Sequence, residues 1–147
     1  MLSRSNLGTP VLAGSFLRKR RIVLDSSLLR TRRQFARILI HELFHFVWLR
    51  LGNPLRRKYA DLVRAEFARH VRGELGWSAE WRKDALGWAT SDSRRWREYV
   101  CESFCDTAGY LYSGIGTYSE GTLSASARKA RRLWFADLVK GRGPLRV

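Results

Sequence analysis

The chain has 147 residues, a formal net charge of +15 and a pI near 11.1, with 45% hydrophobic residues and six tryptophans. This composition excludes a mainly disordered chain, and the length predicts one domain, 1–147, with a single core. The longest apolar run, 38–51, is too short for a membrane span, and no apolar signal segment precedes the first basic cluster, so we expect a cytoplasmic protein.

The N-terminal part is predicted to contain the β-structure of the domain. Residues 1–8 have the composition of a loose tail, and the runs PVLAGSFL and RRIVLD favour a small sheet, arranged as a hairpin in one interpretation. Gly14 is a candidate for a bulge or a bend in the first of these strands.

A long helix follows, and the pattern predicts that it is central to the fold. Thr31 and Gln34 have the spacing of a capping box, and the Leu51-Gly52-Asn53-Pro54 segment ends the helix, which gives a span of 32–51. Because it is apolar on almost every side, this helix is expected to be buried.

A basic helical insert is predicted at 54–90. Asn53 is expected to cap its first helix with Pro54 in the first turn, and Ser78 is expected to cap a short helix that ends at Leu86. Such an insert could cover a cleft or bind a partner.

Two further helices complete the prediction. Asp92 or Ser93 caps a helix that continues to Tyr112, and a Gly-rich loop at 113–122 follows it. The last helix, 125–140, is basic and amphipathic, with Leu133, Trp134 and Leu138 on one side and Arg128, Lys129, Arg131 and Arg132 elsewhere. We expect it to pack on the core through Trp134 with its basic face outward. The fold class is therefore α+β and mostly helical, with a small N-terminal sheet.

The chemistry is concentrated in the segment HELFH within the central helix. His41 and His45 are four residues apart and stand over the same patch of the helix, where their imidazoles can bind Zn²⁺. Glu42 lies about 100° around the axis from His41, so it can take a proton from metal-bound water and pass it to a leaving amine. A buried, satisfied core histidine is the plainer alternative, but burying all three groups is unfavourable without a metal.

A catalytic zinc needs a third protein ligand. Glu98, Glu102 and Asp106 recur every four residues on the next long helix, where a solvated acidic face is the plain interpretation. We favour Glu102 as the ligand over Glu98, because Asp106 can then accept the free N–H of a liganding histidine. His70 is the remaining candidate, although a core histidine partnered by a carbonyl or by Glu66 explains it more simply.

HELFH followed by ESFCD resembles the gluzincin group of zinc metallopeptidases, and RRIVLDSSLL with ARILIHELFHF is similar to the small ImmA/IrrE-type domains. The similarity covers roughly 10–51 and 94–112. It implies a zincin-like fold, a metallopeptidase with Zn²⁺ on His41, His45 and Glu102, and Glu42 as the general base. It also implies an edge strand beside the site that pairs with a peptide substrate, a role we give to RRIVLD.

The chain departs from that family in two respects. Fifty-six residues separate His45 from Glu102, more than in the simplest members. No His or Tyr that would stabilise the tetrahedral oxyanion is evident, and Tyr110, Tyr112 and Tyr118 are expected to be core or loop residues. Without such a donor the rate would fall by about 10²–10³.

Two other functions remain open from the sequence. One is a non-catalytic or regulatory nucleic-acid binder that uses a metal for stability, suggested by the +15 charge. The other is an SprT-like protease acting on DNA-bound protein, which would need His70 as its third ligand. Cys101 and Cys105 are interpreted as reduced core residues, with a redox pair or a metal site as the alternative.

Overall fold

The fold is mostly helical with a two-stranded antiparallel sheet, as the α+β prediction requires. A computed structural model describes residues 12–115 and 121–147, so the predicted tail 1–8, Tyr118 and half of the Gly-rich loop lie outside the described residues. None of the helices in these two described ranges combines the length and the hydropathy that a membrane span requires. The elements are β1 Ala13–Phe16, β2 Arg21–Leu24, α1 Arg32–Arg50, α2 Asn53–Ala68, α3 Trp77–Leu86, α4 Arg94–Tyr112 and α5 Ala125–Arg142.

The sheet is the predicted hairpin, and β1 is its inner strand. Gly14 pairs with Val23 in an unbroken register from Ala13–Leu24 to Phe16–Arg21, so the bulge considered at Gly14 is not formed. Gly14 and Ser15 are buried, whereas residues of β2 are partly or fully exposed. The sheet therefore lies against α1 through β1.

Helix α1 occupies the predicted span, but its predicted cap is not formed. Thr31 makes no side-chain capping hydrogen bond, and its backbone N–H closes the preceding 3₁₀ turn, Ser26–Arg30, on the carbonyl oxygen of Leu28. Similarly, Gly52 and Gly76, not Asn53 and Ser78, precede α2 and α3. The backbone geometry at each junction decides where these helices begin, so a suitable capping side chain nearby is not enough to fix the first residue of a helix.

Helices α1 and α4 pack closely across the centre of the domain. Gly109 permits the contact, since a Cβ there would lie 3.1 Å from the carbonyl oxygen of Arg37. Ser93 caps α4 by accepting a hydrogen bond from the Trp96 amide at 3.1 Å, as predicted. The main core is aromatic and draws on α1, α2, α4 and α5 through Phe44, Tyr59, Phe67, Trp96, Tyr99, Phe104 and Phe135.

Helix α5 docks on the core, but its orientation differs from the prediction. Trp134 contacts Tyr59 and Phe135 is buried, whereas Leu133, expected on the packed side, is 56% exposed. Arg131, expected on the outward basic face, is fully buried. Its side chain is placed inward because Ala127, Arg131, Phe135 and Leu138 share one face of the helix.

Arg131 is the centre of a buried group of charges, here named the arginine network. Its guanidinium donates to both oxygens of Glu66 at 3.0 and 2.6 Å and of Glu74 at 2.7 and 2.9 Å. Tyr99 also donates to Glu74, and the Lys83 ammonium lies 3.5 Å from that carboxylate. The network joins α2, α4, α5 and the segment that leads into α3.

Candidate metal centre

Three side-chain atoms from α1 and α4 converge at one point, and we name these residues the histidine cluster. The Nε2 atoms of His41 and His45 are 3.2 Å apart. Oε2 of Glu102 lies 3.1 Å from the first and 3.8 Å from the second. The three residues predicted as ligands are therefore brought together, and among the described residues they form a group that could hold a metal ion.

The spacing of these atoms fits a small divalent cation. A tetrahedral ion with ligands at about 2.0–2.1 Å holds neighbouring ligand atoms about 3.3 Å apart. The observed separations of 3.1, 3.2 and 3.8 Å bracket that value. Two imidazole nitrogens and one carboxylate oxygen are also the donor set of a class of catalytic zinc sites. The residues present therefore fit zinc without rearrangement of the backbone.

Asp106 fixes the orientation of His41. Its Oδ1 lies 2.7 Å from Nδ1 of His41, so a neutral ring places its proton on Nδ1 and leaves the lone pair of Nε2 facing the cluster. Oδ2 accepts a hydrogen bond from the Ala79 amide at 2.8 Å, in the first turn of α3. The carboxylate thus also lies at the positive end of that helix.

Gly76 allows Asp106 to reach this position. A Cβ on residue 76 would lie 2.3 Å from Cγ and 2.4 Å from Oδ1 of Asp106, far inside contact distance. The backbone at Gly76 is extended, so the requirement is for space and not for an unusual dihedral angle. The predicted insert is therefore part of the site, because its α3 end supports the α4 carboxylates.

Glu102 is held as a carboxylate anion. Ser78 Oγ donates to its Oε2 at 2.7 Å, and the Arg82 guanidinium lies 3.6 Å from Oε1. Burial alone would raise the pKa of Glu102, but the contacts with His41, His45 and Arg82 outweigh it and hold the pKa well below its usual range. The oxygen that faces the two imidazoles therefore carries negative charge at neutral pH.

The same carboxylates favour a positive charge between the histidines. Burial opposes protonation of His41, but Asp106 and Glu102 outweigh this effect and raise the pKa of His41 well above its usual value. Against the effect of burial, the hydrogen bond with Cys101 and the charge of Glu102 also raise the pKa of His45, but by less. The cluster therefore attracts a cation, and a proton on Nε2 of His41 is the simplest one it can hold.

Glu42 lies next to the histidine cluster on α1 and is bound by the sheet. Ser15 Oγ donates to Oε2 of Glu42 at 2.5 Å and contacts its backbone carbonyl oxygen at 3.0 Å. Glu42 is 8% exposed and is not a member of the donor group, which agrees with its position around the helix axis. β1 thus places a hydroxyl donor on the predicted general base.

The second nitrogen of His45 faces a thiol. Its Nδ1 lies 3.6 Å from Sγ of Cys101, and Cys105, one turn further along α4, is fully buried. A hydrogen bond with Cys105 and the neighbouring His45 lower the pKa of Cys101 to about 6, against the effect of burial. Both cysteines are free thiols, as predicted.

The competing candidates lie elsewhere. Glu98 pairs with Arg94 on the surface at 2.8 Å. His70 is exposed, has a positive φ of 52° and has its ring 4.7 Å from that of Trp88, so its prediction as a core histidine is wrong. Neither residue belongs to a donor group among the described residues.

The tyrosines considered for oxyanion stabilisation have other described contacts. Tyr112 stacks on Phe44 with ring centroids 5.6 Å apart, and Tyr110 packs against the small cluster of Leu75 and Leu123. These contacts support the interpretation of both as packing residues. Tyr118 lies outside the described residues.

Sequence reasoning missed four residues that shape the site. Ser15, Gly76, Ser78 and Arg82 are distant in the sequence from the residues they contact, and their side-chain types are common in turns and on surfaces. A partial signal existed at Gly76, since glycine is the residue that allows another group to approach the backbone closely.

Searches with protein-family models, against characterised proteins and against solved structures find no match for this chain.

Proposed function

We propose that this chain is a zincin-like, zinc-dependent metallopeptidase. The observation that carries the proposal is the convergence of His41 Nε2, His45 Nε2 and Glu102 Oε2 within 3.1–3.8 Å of one another. The pattern HELFH followed by ESFCD predicts the same three residues, so the motif and the geometry support the same site.

A divalent cation held by these residues would polarise a peptide carbonyl and acidify a bound water. The chain's own residues do the remaining work. Glu42 is the general base: Ser15 holds its Oε2, so Oε1 is the oxygen that accepts the water proton and then donates it to the leaving amine. Asp106 keeps the proton of His41 on Nδ1, and Ser78 orients the carboxylate of Glu102.

A peptide substrate would lie beside β1 on this proposal. The sequence suggested that RRIVLD, which contains β2, borders the site. β1 is favoured instead, because it carries the Ser15 hydroxyl that contacts Glu42, whereas β2 is the outer strand.

The test is the Glu42→Gln variant, compared with wild type and with Glu98→Gln as a matched surface control. Cleavage of an unfolded protein mixture is followed by mass spectrometry of new termini, and metal content by elemental analysis. We expect Glu42→Gln to keep its zinc and lose about 10²–10⁴ in rate, while Glu98→Gln keeps both. Equal cleavage by Glu42→Gln and wild type would show that the mechanism is wrong.

Binding of nucleic acid is a second candidate function, favoured by the basic surface at the N-terminal hairpin. Seven exposed basic residues lie in the hairpin and at the start of α1, and the net charge is +15. They are Arg18, Lys19, Arg20, Arg21, Arg30, Arg32 and Arg33.

Filter binding of duplex DNA across a salt series tests this function. The logarithm of the affinity would fall by about 0.9 per neutralised phosphate for each logarithmic unit of salt. Alanine at 18–21 should lower that slope, whereas alanine at Arg57 and Lys58 on α2 should not. No measurable binding at low salt would remove this candidate.

A further inference from the structure

His45 faces a second set of potential metal ligands on the side away from His41. Its Nδ1 lies 3.6 Å from Sγ of Cys101. His45, Cys101 and Cys105 each offer one donor atom, and these atoms all lie within 4.8 Å of one another. Cys105 is fully buried, and Cys101 and His45 are partly exposed. One nitrogen and two sulfur atoms therefore surround a second point between α1 and α4.

The spacing and the chemistry of this group fit a soft cation. An ion with nitrogen at about 2.0–2.1 Å and sulfur at about 2.3 Å in tetrahedral geometry holds those two atoms about 3.6 Å apart. The observed distance from Nδ1 to Cys101 Sγ is 3.6 Å. Thiolate ligands prefer thiophilic ions, whereas the carboxylate of Glu102 prefers harder ones.

We propose that His45, Cys101 and Cys105 form a second cation site, selective for thiophilic ions such as Cu⁺ and Cd²⁺, whose occupation removes His45 from the histidine cluster. This second site, here named the thiol site, and the histidine cluster then compete for the imidazole ring of His45.

The competition follows from the two tautomers of imidazole. A neutral ring has one nitrogen with a lone pair and one that carries a proton. When Nε2 binds a cation in the histidine cluster, the Nδ1 proton points toward Cys101 Sγ at 3.6 Å. When Nδ1 binds a cation with the thiolates, the proton moves to Nε2, which lies 3.2 Å from His41 Nε2 and can donate to it. Simultaneous occupation would require the loss of both ring protons.

Binding at the thiol site is a simple exchange of protons for a cation. Both sulfur atoms bind as thiolates, so any proton still held by Cys101 or Cys105 is released to solvent as the metal–sulfur bond forms, and His45 supplies a lone pair. No electron is transferred, so no oxidant or reductant is needed.

Titration of the metal-free protein with Cd²⁺ tests the binding. Cadmium–thiolate bonds absorb in the ultraviolet, so we expect an absorbance that saturates at a single Cd²⁺ per chain. Cys101→Ala and Cys105→Ala should each lose most of this absorbance, with Cys→Ser variants as conservative replacements where alanine impairs folding. Glu102→Gln, which weakens only the histidine cluster, should keep it.

Zinc release tests the competition. Cd²⁺ is added to the zinc-loaded protein at the concentration that saturates the absorbance, and free zinc is measured with a colorimetric indicator. We expect stoichiometric release from wild type and at least a tenfold smaller release from the Cys101→Ala/Cys105→Ala double variant. This experiment does not depend on peptide hydrolysis, so the proposed protease activity can fail while the thiol site stands.

Three results would overturn the inference. One is the absence of thiolate absorbance in wild type. A second is an absorbance that survives in folded Cys105→Ala or Cys105→Ser protein. The third is zinc release that is equal in wild type and the double cysteine variant, since Cd²⁺ would then simply replace zinc in the histidine cluster.

Discussion

The arginine network and the histidine cluster are both buried against α4, but they differ in how their groups are satisfied. In the arginine network, the carboxylates of Glu66 and Glu74 face the cations Arg131 and Lys83, so the charges cancel within the group. In the histidine cluster, three atoms with lone pairs face one another within 3.1–3.8 Å.

This difference separates a structural role from a binding role. Buried charges that are fully paired hold elements together and leave little capacity for a ligand. Lone pairs that converge on one point repel each other unless a proton or a cation lies between them. The arginine network therefore predicts effects on stability, and the histidine cluster predicts effects on metal binding.

The largest expected effect belongs to the arginine network. Arg131→Met removes the cation between two fully buried carboxylates, and we expect the free energy of unfolding to fall by about 3–5 kcal/mol. Chemical denaturation of metal-free protein measures this change. Arg132→Met, on the exposed face of the same helix, is the control and should change stability by less than about 0.5 kcal/mol. Equal stability of the two variants would mean that the network does not hold α5 in place.

The next effect belongs to the histidine cluster. Glu102→Gln keeps the shape of the side chain but removes the charge that faces both imidazoles. We expect zinc affinity to fall by more than about 100-fold, because the loss of a ligand should cost more than the roughly 10–100-fold typical of a residue that only supports a ligand. Competition with a chromophoric chelator measures the affinity, with Glu98→Gln as the control. Unchanged affinity in Glu102→Gln would exclude it as the third ligand.

A smaller effect on zinc affinity is expected for residues that support the proposed ligands without binding the metal. Asp106→Asn weakens the hydrogen bond that orients His41, and Gly76→Ala displaces the same carboxylate without changing its chemistry. Both should lower zinc affinity by about 10–100-fold. Gly141→Ala is the matched control, because a Cβ at residue 141 meets nothing within 4 Å. A Gly76→Ala protein with wild-type affinity would show that the α3 support is dispensable.

The smallest effect is a dependence on pH, and it has opposite signs in the two clusters. The pKa of His41 is raised, so below it the metal-free protein holds a proton that zinc must displace, and affinity should fall about tenfold per pH unit on acidification. In metal-free protein, the raised pKa stabilises the fold fully below the ordinary histidine value, and this contribution is lost as pH rises through the folded value.

The arginine network should respond in the opposite direction. Arg131 and Lys83 outweigh the effect of burial and lower the pKa of Glu74. Its contribution to the free energy of unfolding is therefore present above the ordinary carboxyl value and is lost as pH falls through the folded value.

For the histidine cluster, calorimetry in buffers of different ionisation enthalpy counts the protons released when zinc binds. A zinc affinity that stays constant between pH 8 and 6 would contradict the assignment at His41.

Much of the fold follows from local patterns. The spans of α1 and α4 and the Ser93 cap are predicted from sequence because apolar spacing, Pro, Gly and capping residues act within a few positions along the chain. The other predicted caps fail at Thr31, Asn53 and Ser78, where the backbone or a distant partner takes the place of the local hydrogen bond.

The interpretation of α5 shows where local patterns mislead. The amphipathic pattern assigns Arg131 to the outward basic face, although its spacing from Ala127, Phe135 and Leu138 puts it on the buried face. Its burial is possible only because Glu66 and Glu74 approach from two other segments. A single helix carries no information about such partners.

Helical spacing predicts the candidate donors, since it places His41 over His45, and Asp106 over Glu102, on one face of each helix. Which of Glu98, Glu102 and His70 meets the histidines follows only from the packing of the helices, as do the space that Gly76 leaves for Asp106 and the position of the cysteines beside His45. The physical reason is range: helical periodicity orients a side chain within its own element, whereas the distance between two elements depends on how the whole core packs.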